Sequence, residues 1–428
     1  MMLPKGWVEA DIGELCNLVN GKAFKPSDWS KTGLPIIRIQ NLNNSQAFYN
    51  YYDREIPDKF LVNKGDLLFA WSGTPGTSFG AHLWMGQKAI LNQHIFKIIF
   101  NELSIDKNYF KIAINSTLHE LIGKAHGGVG LAHVTKGNFE TTKLPLPPLA
   151  EQRRIVAKLD SLTARIARAR AELKRVRALQ KQWLSKFFDT EFSCDGELLT
   201  LGELAEDVRY GTAQKCSPDP TLTPVLRIPN IASGKIDTSD LKHSKFTEKE
   251  IKKLSLCSGD LLIVRSNGSV DLVGQSAVAD ARVSGFLFAG YLIRIRLKNK
   301  DITPYFVHYW LRSSHARSLI NAAAKSTSGV NNINSEQLKN LNIRLPGRLK
   351  QREIVSRITK ACSHANRLET EAQRALALLD RLESSLLAKA FRGELVPQNP
   401  NDEPASVLLD RIRAERAAAP KPRRKRKA

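Results

Sequence analysis

The chain has 428 residues, of which 42% are hydrophobic and 25% charged, with 65 Lys and Arg against 42 Asp and Glu for a formal net charge of +23 at pH 7. That length predicts two or three domains with cores of their own, and the composition excludes a disordered or collagen-like chain. Five scattered cysteines (Cys16, Cys194, Cys216, Cys257 and Cys362) exclude a disulfide framework or zinc-ligand spacing and suit a reducing compartment.

No apolar leader follows Met1. The uncharged run over residues 67–87 is interrupted by four glycines, Pro75 and His82, so it predicts strands and turns rather than a membrane span. The expected compartment is the cytoplasm.

Residues 1–149 read as a first globular unit. Ile36-Ile37-Arg38-Ile39, Leu67-Leu68-Phe69-Ala70 and Ile95-Phe96-Lys97-Ile98-Ile99-Phe100 are short apolar runs bounded by turn residues, which predicts strands. Gly65-Asp66 is a turn dipeptide ahead of the second run. Residues 106–122 read as a helix with Tyr109, Phe110, Ala113, Ile114 and Leu118 on one face. Lys124 to Gly130 reads as a basic, glycine-rich loop. The class is α+β, with the strands expected to curl into a barrel-like sheet.

Residues 150–194 read as a long central helix, free of Pro and Gly for more than 35 residues after Pro148. Its apolar positions are Ile155, Leu159, Leu162, Ile166, Ala169, Leu173 and Val176, then Trp183 and Phe187, with Gln180 breaking the series. Steps of four and three predict the seam of a coiled coil. Residues 150–188 carry eleven basic residues against Glu151, Asp160 and Glu172. A basic helix of this kind points to a polyanion, most often nucleic acid.

The rest of the chain repeats this plan. Pro35-Ile36-Ile37-Arg38-Ile39-Gln40-Asn41-Leu42 returns as Pro224-Val225-Leu226-Arg227-Ile228-Pro229-Asn230-Ile231, and Gly65-Asp66-Leu67-Leu68 returns as Gly259-Asp260-Leu261-Leu262. His94-Ile95-Phe96 returns as Tyr291-Leu292-Ile293, Tyr109-Phe110 as Tyr305-Phe306, and Gln152-Arg153 as Gln351-Arg352. The offset drifts from 189 to 203, as expected of two copies that diverged by loop changes. The copies give a second globular unit at 195–345 and a distal helix at 346–392, which is expected to pair antiparallel with the central one. Residues 393–428 read as a basic C-terminal tail with a short helix near 406–416.

No P-loop, His-Glu-x-x-His or dinucleotide-binding pattern is present. Pro218-Asp219 with Glu250-Ile251-Lys252 matches a metal-dependent nuclease pattern only superficially, since the first copy has no counterpart. The globular units offer recognition chemistry instead. Arg38, Gln40, Asn41, Arg227 and Asn230 sit where a strand runs out, and Arg, Asn and Gln are the side chains that read base edges. Trp71, Ser72, Arg265, Ser266 and Asn267 follow the next strand. Lys124, His126, Lys325 and Ser326 are candidates for phosphate contacts. Asn41 and Asn230 also fit turn caps, and Arg38 and Arg227 also fit braces of the fold. A coiled-coil scaffold whose globular ends bind protein is the alternative reading.

The duplicated domain-plus-helix plan resembles the specificity subunits of type I restriction–modification enzymes. The resemblance rests on Leu3-Pro4-Lys5-Gly6-Trp7 at the start, Pro145-Leu146-Pro147-Pro148-Leu149-Ala150-Glu151-Gln152-Arg153-Arg154 at the central helix, and Leu387-Ala388-Lys389-Ala390-Phe391-Arg392-Gly393-Glu394 at the distal one. Lys350 and Gly347 depart from it where the second helix begins. The resemblance implies two target-recognition domains that read a bipartite, asymmetric site in double-stranded DNA. It implies two methyltransferase (M) subunits and further restriction (R) subunits as partners, with S-adenosylmethionine, ATP and Mg²⁺ held by those partners and no catalytic or metal-binding residue here.

Overall fold

The computed structural model describes residues 3–44, 46–73, 77–123, 132–324, 326, 327 and 330–418. The chain divides into two compact units, residues 1–170 with 377–428 and residues 171–376. Both long helices, Leu149–Phe192 and Arg348–Phe391, contribute a part to each unit. Among the described residues no helix is long and apolar enough to cross a membrane.

In the first unit Val8–Asp11 pairs antiparallel with Lys143–Leu146, so the chain enters and leaves the globular part side by side. One four-stranded sheet runs in the order Asn17–Asn20, Ile95–Ile99, Leu67–Ala70 and Gly80–Leu83. A second runs Asn50–Tyr52, Leu34–Ile37, Ala89–Leu91 and Leu61–Val62. Leu67–Ala70 is buried along its whole length, because Leu67 and Phe69 face one apolar cluster while Leu68 faces another. A strand covered on both faces reads as a continuous apolar run instead of an alternating one.

The second unit repeats this. Glu197–Thr200 pairs with Asn342–Leu345, and a sheet runs Ala205–Tyr210, Leu292–Leu297, Leu261–Val264 and Ser276–Val278. Leu261 and Ile263 face one cluster and Leu262 another. Among the described residues the strands of neither unit close into the expected barrel; they form separate sheets, and the central apolar strand belongs to one of them while its other face meets a second apolar cluster.

The repeated Gly-Asp dipeptide has a fuller role than a turn signal. Gly65 and Gly259 adopt φ of 91° and 94°, a conformation that glycine takes without strain. Asp66 accepts the backbone N–H of Asn63 at 2.8 Å and pairs with Lys97 at 2.7 Å. Asp260 likewise accepts from Cys257 at 2.8 Å and pairs with Arg296 at 2.7 Å. Each aspartate therefore fixes the turn and ties it to the next strand of the sheet.

Three boundaries differ from expectation. The strand at Ile36 ends at Ile37, because Arg38 turns the chain into the short helix Ile39–Asn43. The helix expected over 106–122 breaks at Thr117 into Lys107–Ser116 and Leu118–Gly123, where the Thr117 hydroxyl donates back to the Ile114 carbonyl at 2.8 Å. Nor is the C-terminal region simply a tail. Ala405–Ala418 is a helix whose Leu408, Leu409 and Ile412 are buried in the first unit's core. It is fastened by Ala405 N–H to Gly6 O at 2.9 Å, Arg413 to Glu14 at 2.7 Å and Asn101 to Glu415 at 2.9 Å.

The long helices pair antiparallel within each unit. In the first, Arg170 reaches Asp380 at 2.6 Å and Glu383 at 2.8 Å. In the second, Arg177 pairs with Glu369, Gln180 donates to the Ala365 carbonyl, and Arg357 pairs with Glu191 at 2.8 Å. The apolar seam is shorter than the spacing predicts. Ile155, Leu159 and Ile166 are buried, but Val176, Trp183 and Leu382 are about half exposed. In the second unit Ala361, Ala365 and Ala372 are the small residues buried along the distal helix, where the ion pairs above add to the contact.

Candidate nucleic-acid interface

Each globular unit has a cleft at the same place in its fold, where the repeated arginine that follows a strand meets the residues ahead of a buried strand. In the first unit a cleft of about 240 Å³ is lined by Trp29, Arg38, Gln40, Asn92, Gln93 and His94. In the second, a cleft of about 750 Å³ is lined by residues including Tyr210, Gln214, Arg227, Lys242, Arg265 and Tyr291. Arg38 corresponds to Arg227 and His94 to Tyr291 in the repeat, so the two clefts are built on one framework.

The framework explains the arginines' neighbours. Asn41 and Asn230 are almost fully buried, at 2% and 3% exposure. The Asn41 carbonyl oxygen accepts the Arg38 N–H at 2.9 Å, and its amide donates to Phe48 O at 3.2 Å. Asn230 accepts the Arg227 N–H at 2.9 Å and donates to the carbonyls of Asp237 and Asp240 at 2.9 and 3.0 Å. Expected as base readers, these two asparagines instead hold the loop. Both ends of each amide are engaged by backbone, and burial turns the side chain away from solvent.

The remaining candidates divide by exposure. Arg38 is exposed, its guanidinium 5.9 Å from the Trp29 ring, and Gln40 is exposed with its amide 3.3 Å from the Phe48 carbonyl. Arg227 is braced by Asp240 at 2.9 Å, so part of its charge is already met. Arg265 lies 4.6 Å above the Tyr210 ring and donates to Asn332 at 3.2 Å, which presents its guanidinium at the cleft wall. Ser266 lines the same cleft, whereas Asn267 turns to cap the Ser269 N–H at 2.9 Å. Trp71 packs against His94 and Phe96 at 5.3 and 5.8 Å. Ser72 is buried where its strand pairs with His133. Lys124, His126 and Lys325 lie outside the described residues, as does the side chain of Ser326, whose backbone joins the strand Ser326–Thr327.

Sequence reasoning missed Gln93, His94, Tyr210, Lys242 and Tyr291. His94 and Tyr291 looked like the first residues of repeated strands. Their signal was the change from His to Tyr between copies beside strand positions that stay apolar. Tyr291 is 65% exposed, an aromatic face available for contact with a partner.

The superficial nuclease pattern dissolves. Glu250 caps its own helix by accepting from Thr247 N–H at 2.8 Å, and Asp219 accepts from Thr221 at 2.8 and 3.0 Å. Both carboxyls are held below the usual carboxylate range by those backbone and hydroxyl donors. The basic central helix is also less free than its composition suggests, since Arg154, Arg170 and Arg177 are each paired with carboxylates.

Comparison with known proteins agrees with this duplicated layout. The family model for the type I restriction modification DNA specificity domain matches residues 4–177 and again 196–377. The type I restriction enzyme EcoKI specificity subunit of Escherichia coli K12 is 30% identical, with 97% of each chain covered. The EcoBI specificity subunit of Escherichia coli is 30% identical over 96% of this chain and 93% of its own. Among solved structures, one of a type I R-M system covers 92% of this chain and all of its own at TM-score 0.75 and 21% identity. The HsdS subunit from Thermoanaerobacter tengcongensis covers 92% of this chain and 99% of its own at TM-score 0.60 and 21% identity, a likeness of fold. With both halves matched and relatives aligned along nearly its whole length, the chain belongs to the type I restriction–modification specificity subunits, whose sequence-recognising DNA specificity domain it carries twice.

Proposed function

We propose that this subunit reads a bipartite, asymmetric DNA target, one half-site per globular unit, and has no catalytic turnover of its own. The observation that carries this reading is the pair of clefts. They occupy one framework position, share an arginine at the strand exit, and differ in almost every other lining residue. A shared framework with divergent walls suits two readers of the same kind with different sequences to read.

In this reading the chain directs methylation and cleavage performed by two methyltransferase subunits and by restriction subunits. S-adenosylmethionine, ATP and Mg²⁺ belong to those partners, in keeping with a sequence that lacks the motifs for binding them. The half-exposed Val176, Leu179, Trp183 and Leu368 of the second unit's helix pair offer apolar surface to a partner subunit in the cytoplasm. The test is methylome sequencing of a host with and without this chain, the partner subunits being present in both. A split, asymmetric methylated motif that depends on the chain is the expected result. A pure sample with methyltransferase, ATPase or nuclease turnover that a point change in this chain abolishes would overturn the non-catalytic reading. Loss of steeply salt-dependent DNA binding would favour the protein-binding scaffold instead.

A further inference from the structure

The second unit contains another cleft, of about 440 Å³, between the turn at residues 233–236, the helix Pro304–Trp310 and the distal helix. Lys235, Arg282, Arg312, Tyr305, Thr359 and Cys362 are among its lining residues. Three cations and one carboxylate, Asp280, therefore face one cleft. Arg282 is neutralised by Asp280 at 2.8 Å. Among the described residues neither Lys235 nor Arg312 pairs with a carboxylate. Arg312 is held against two aromatic faces, 5.3 Å from the Phe188 ring and 5.9 Å from the Tyr309 ring. The Tyr309 hydroxyl is engaged with Thr359 at 3.0 Å.

The repeat allows a scaffold role to be separated from a binding role. At the offset that aligns Tyr109-Phe110 with Tyr305-Phe306, the first copy has Ile112, Ala113 and Ser116 in place of His308, Tyr309 and Arg312. At the offset of the helix entry it has Asp160 and Thr163 in place of Thr359 and Cys362. The first unit builds the same sheets and helix junction without any of these groups, and with a negative charge where the second has a hydroxyl. The framework thus has no need of an unbalanced guanidinium at Arg312. A cationic cleft of this volume, with a planar guanidinium held by rings and a hydroxyl nearby, has the chemistry that binds phosphate.

We infer that this cleft binds a phosphate group, supplied either by a DNA backbone or by a free nucleotide. The backbone source rests on the DNA-reading function proposed above; the free-nucleotide source does not. The half-buried Cys362 thiol, which lines the cleft, reports occupancy. The full chain, with its partner subunits where solubility requires them, is alkylated with N-ethylmaleimide and modification is mapped residue by residue, with exposed Cys257 as the internal reference. The probes are inorganic phosphate, 5′-AMP and a DNA duplex.

Protection of Cys362 but not Cys257 is expected, and it should be lost in Arg312→Ala and in Lys235→Ala. Lys235 is exposed, so its variant keeps the test decisive if Arg312→Ala fails to fold. Protection by 5′-AMP or phosphate assigns a free ligand. Protection by duplex alone, with the salt dependence of DNA binding falling by about one counterion in each variant, assigns the backbone. The inference is overturned if no probe protects Cys362, if protection survives both variants, or if duplex protection comes with an unchanged salt slope. Preference for target over non-target DNA is read from the same titrations, so failure of the cleft and failure of DNA reading remain distinguishable.

Discussion

The side chain of Gln152 accepts the backbone N–H of Asp106 at 2.9 Å, and its amide donates to Pro147 O at 2.9 Å. Asp106 is the residue whose carboxylate caps the helix Lys107–Ser116. One buried glutamine thus locks the first turn of the central helix to the start of a helix in the globular part. Gln351 does the same in the second unit, accepting from Thr303 N–H at 2.8 Å and donating to Pro346 O at 2.8 Å. The repeated Gln-Arg entry is therefore a joint between reader and helix. Gln152→Ala and Gln351→Ala should each destabilise their own unit by about 1–3 kcal/mol, the cost of a buried donor left unmet. Urea titration followed by hydrogen exchange of each unit checks this; equal loss in both units from one substitution would refute the local joint.

Asn230→Ala should act on the fold and not on sequence choice. Its amide satisfies one backbone N–H and two carbonyls, so removing it should cost about 1–3 kcal/mol while the methylated motif stays the same. A changed base at one motif position in a stably folded variant would restore Asn230 as a reader.

Arg265→Ala should behave in the opposite way. Its guanidinium stands at the cleft wall over Tyr210, and loss of a bidentate base contact costs roughly 1–3 kcal/mol at one position. Competition binding with single-base target variants measures it, and a uniform loss across all sequences would place Arg265 on the phosphate backbone instead.

Exchange of residues 1–149 for the matching domain of a relative should change one half-site and leave the other untouched. The chimera must keep the docking of Ala405–Ala418, which requires Glu14 for Arg413 and the carbonyl of Cys16 for Arg416. Methylome sequencing decides; a swap that altered both half-sites together would defeat the model of two independent readers.

Acid should weaken the second unit through His308. Burial, reinforced by Arg312, pushes its imidazole down to about 3 from an ordinary 6.5, and its Nδ1 is bonded to Ser276 at 2.9 Å. The unfolded chain binds the proton first as pH falls below 6.5, so stability contributed above that pH is lost progressively toward 3. From pH 7 to pH 5 the loss is about 2 kcal/mol. Urea midpoints across this range should fall for the native chain and fall less for His308→Gln; parallel curves would contradict it.

What the sequence discloses follows from the range of the interactions. The two long helices, the central buried strands and the Gly-Asp turns are encoded locally or by the comparison of two copies, and all are recognisable. The clefts are not, because Tyr210, Arg227, Arg265 and Tyr291 come together from four separate segments. Asn41 and Asn230 carry the side chain of a base reader, and only burial shows that the backbone has claimed it. The docking of Leu408, Leu409 and Ile412 was hidden for a similar reason: the surface they cover lies some 400 residues earlier in the chain.

That docking also sets an order of events during synthesis. The second unit is one uninterrupted stretch, residues 171–376, whereas the first needs residues 377–428 to be complete. At about 5–20 residues per second, the ribosome leaves the first unit waiting roughly 10–50 s for its last helix. The part of the protein made first is therefore the part finished last, and nascent chains should pass through a state in which only the second reader is whole.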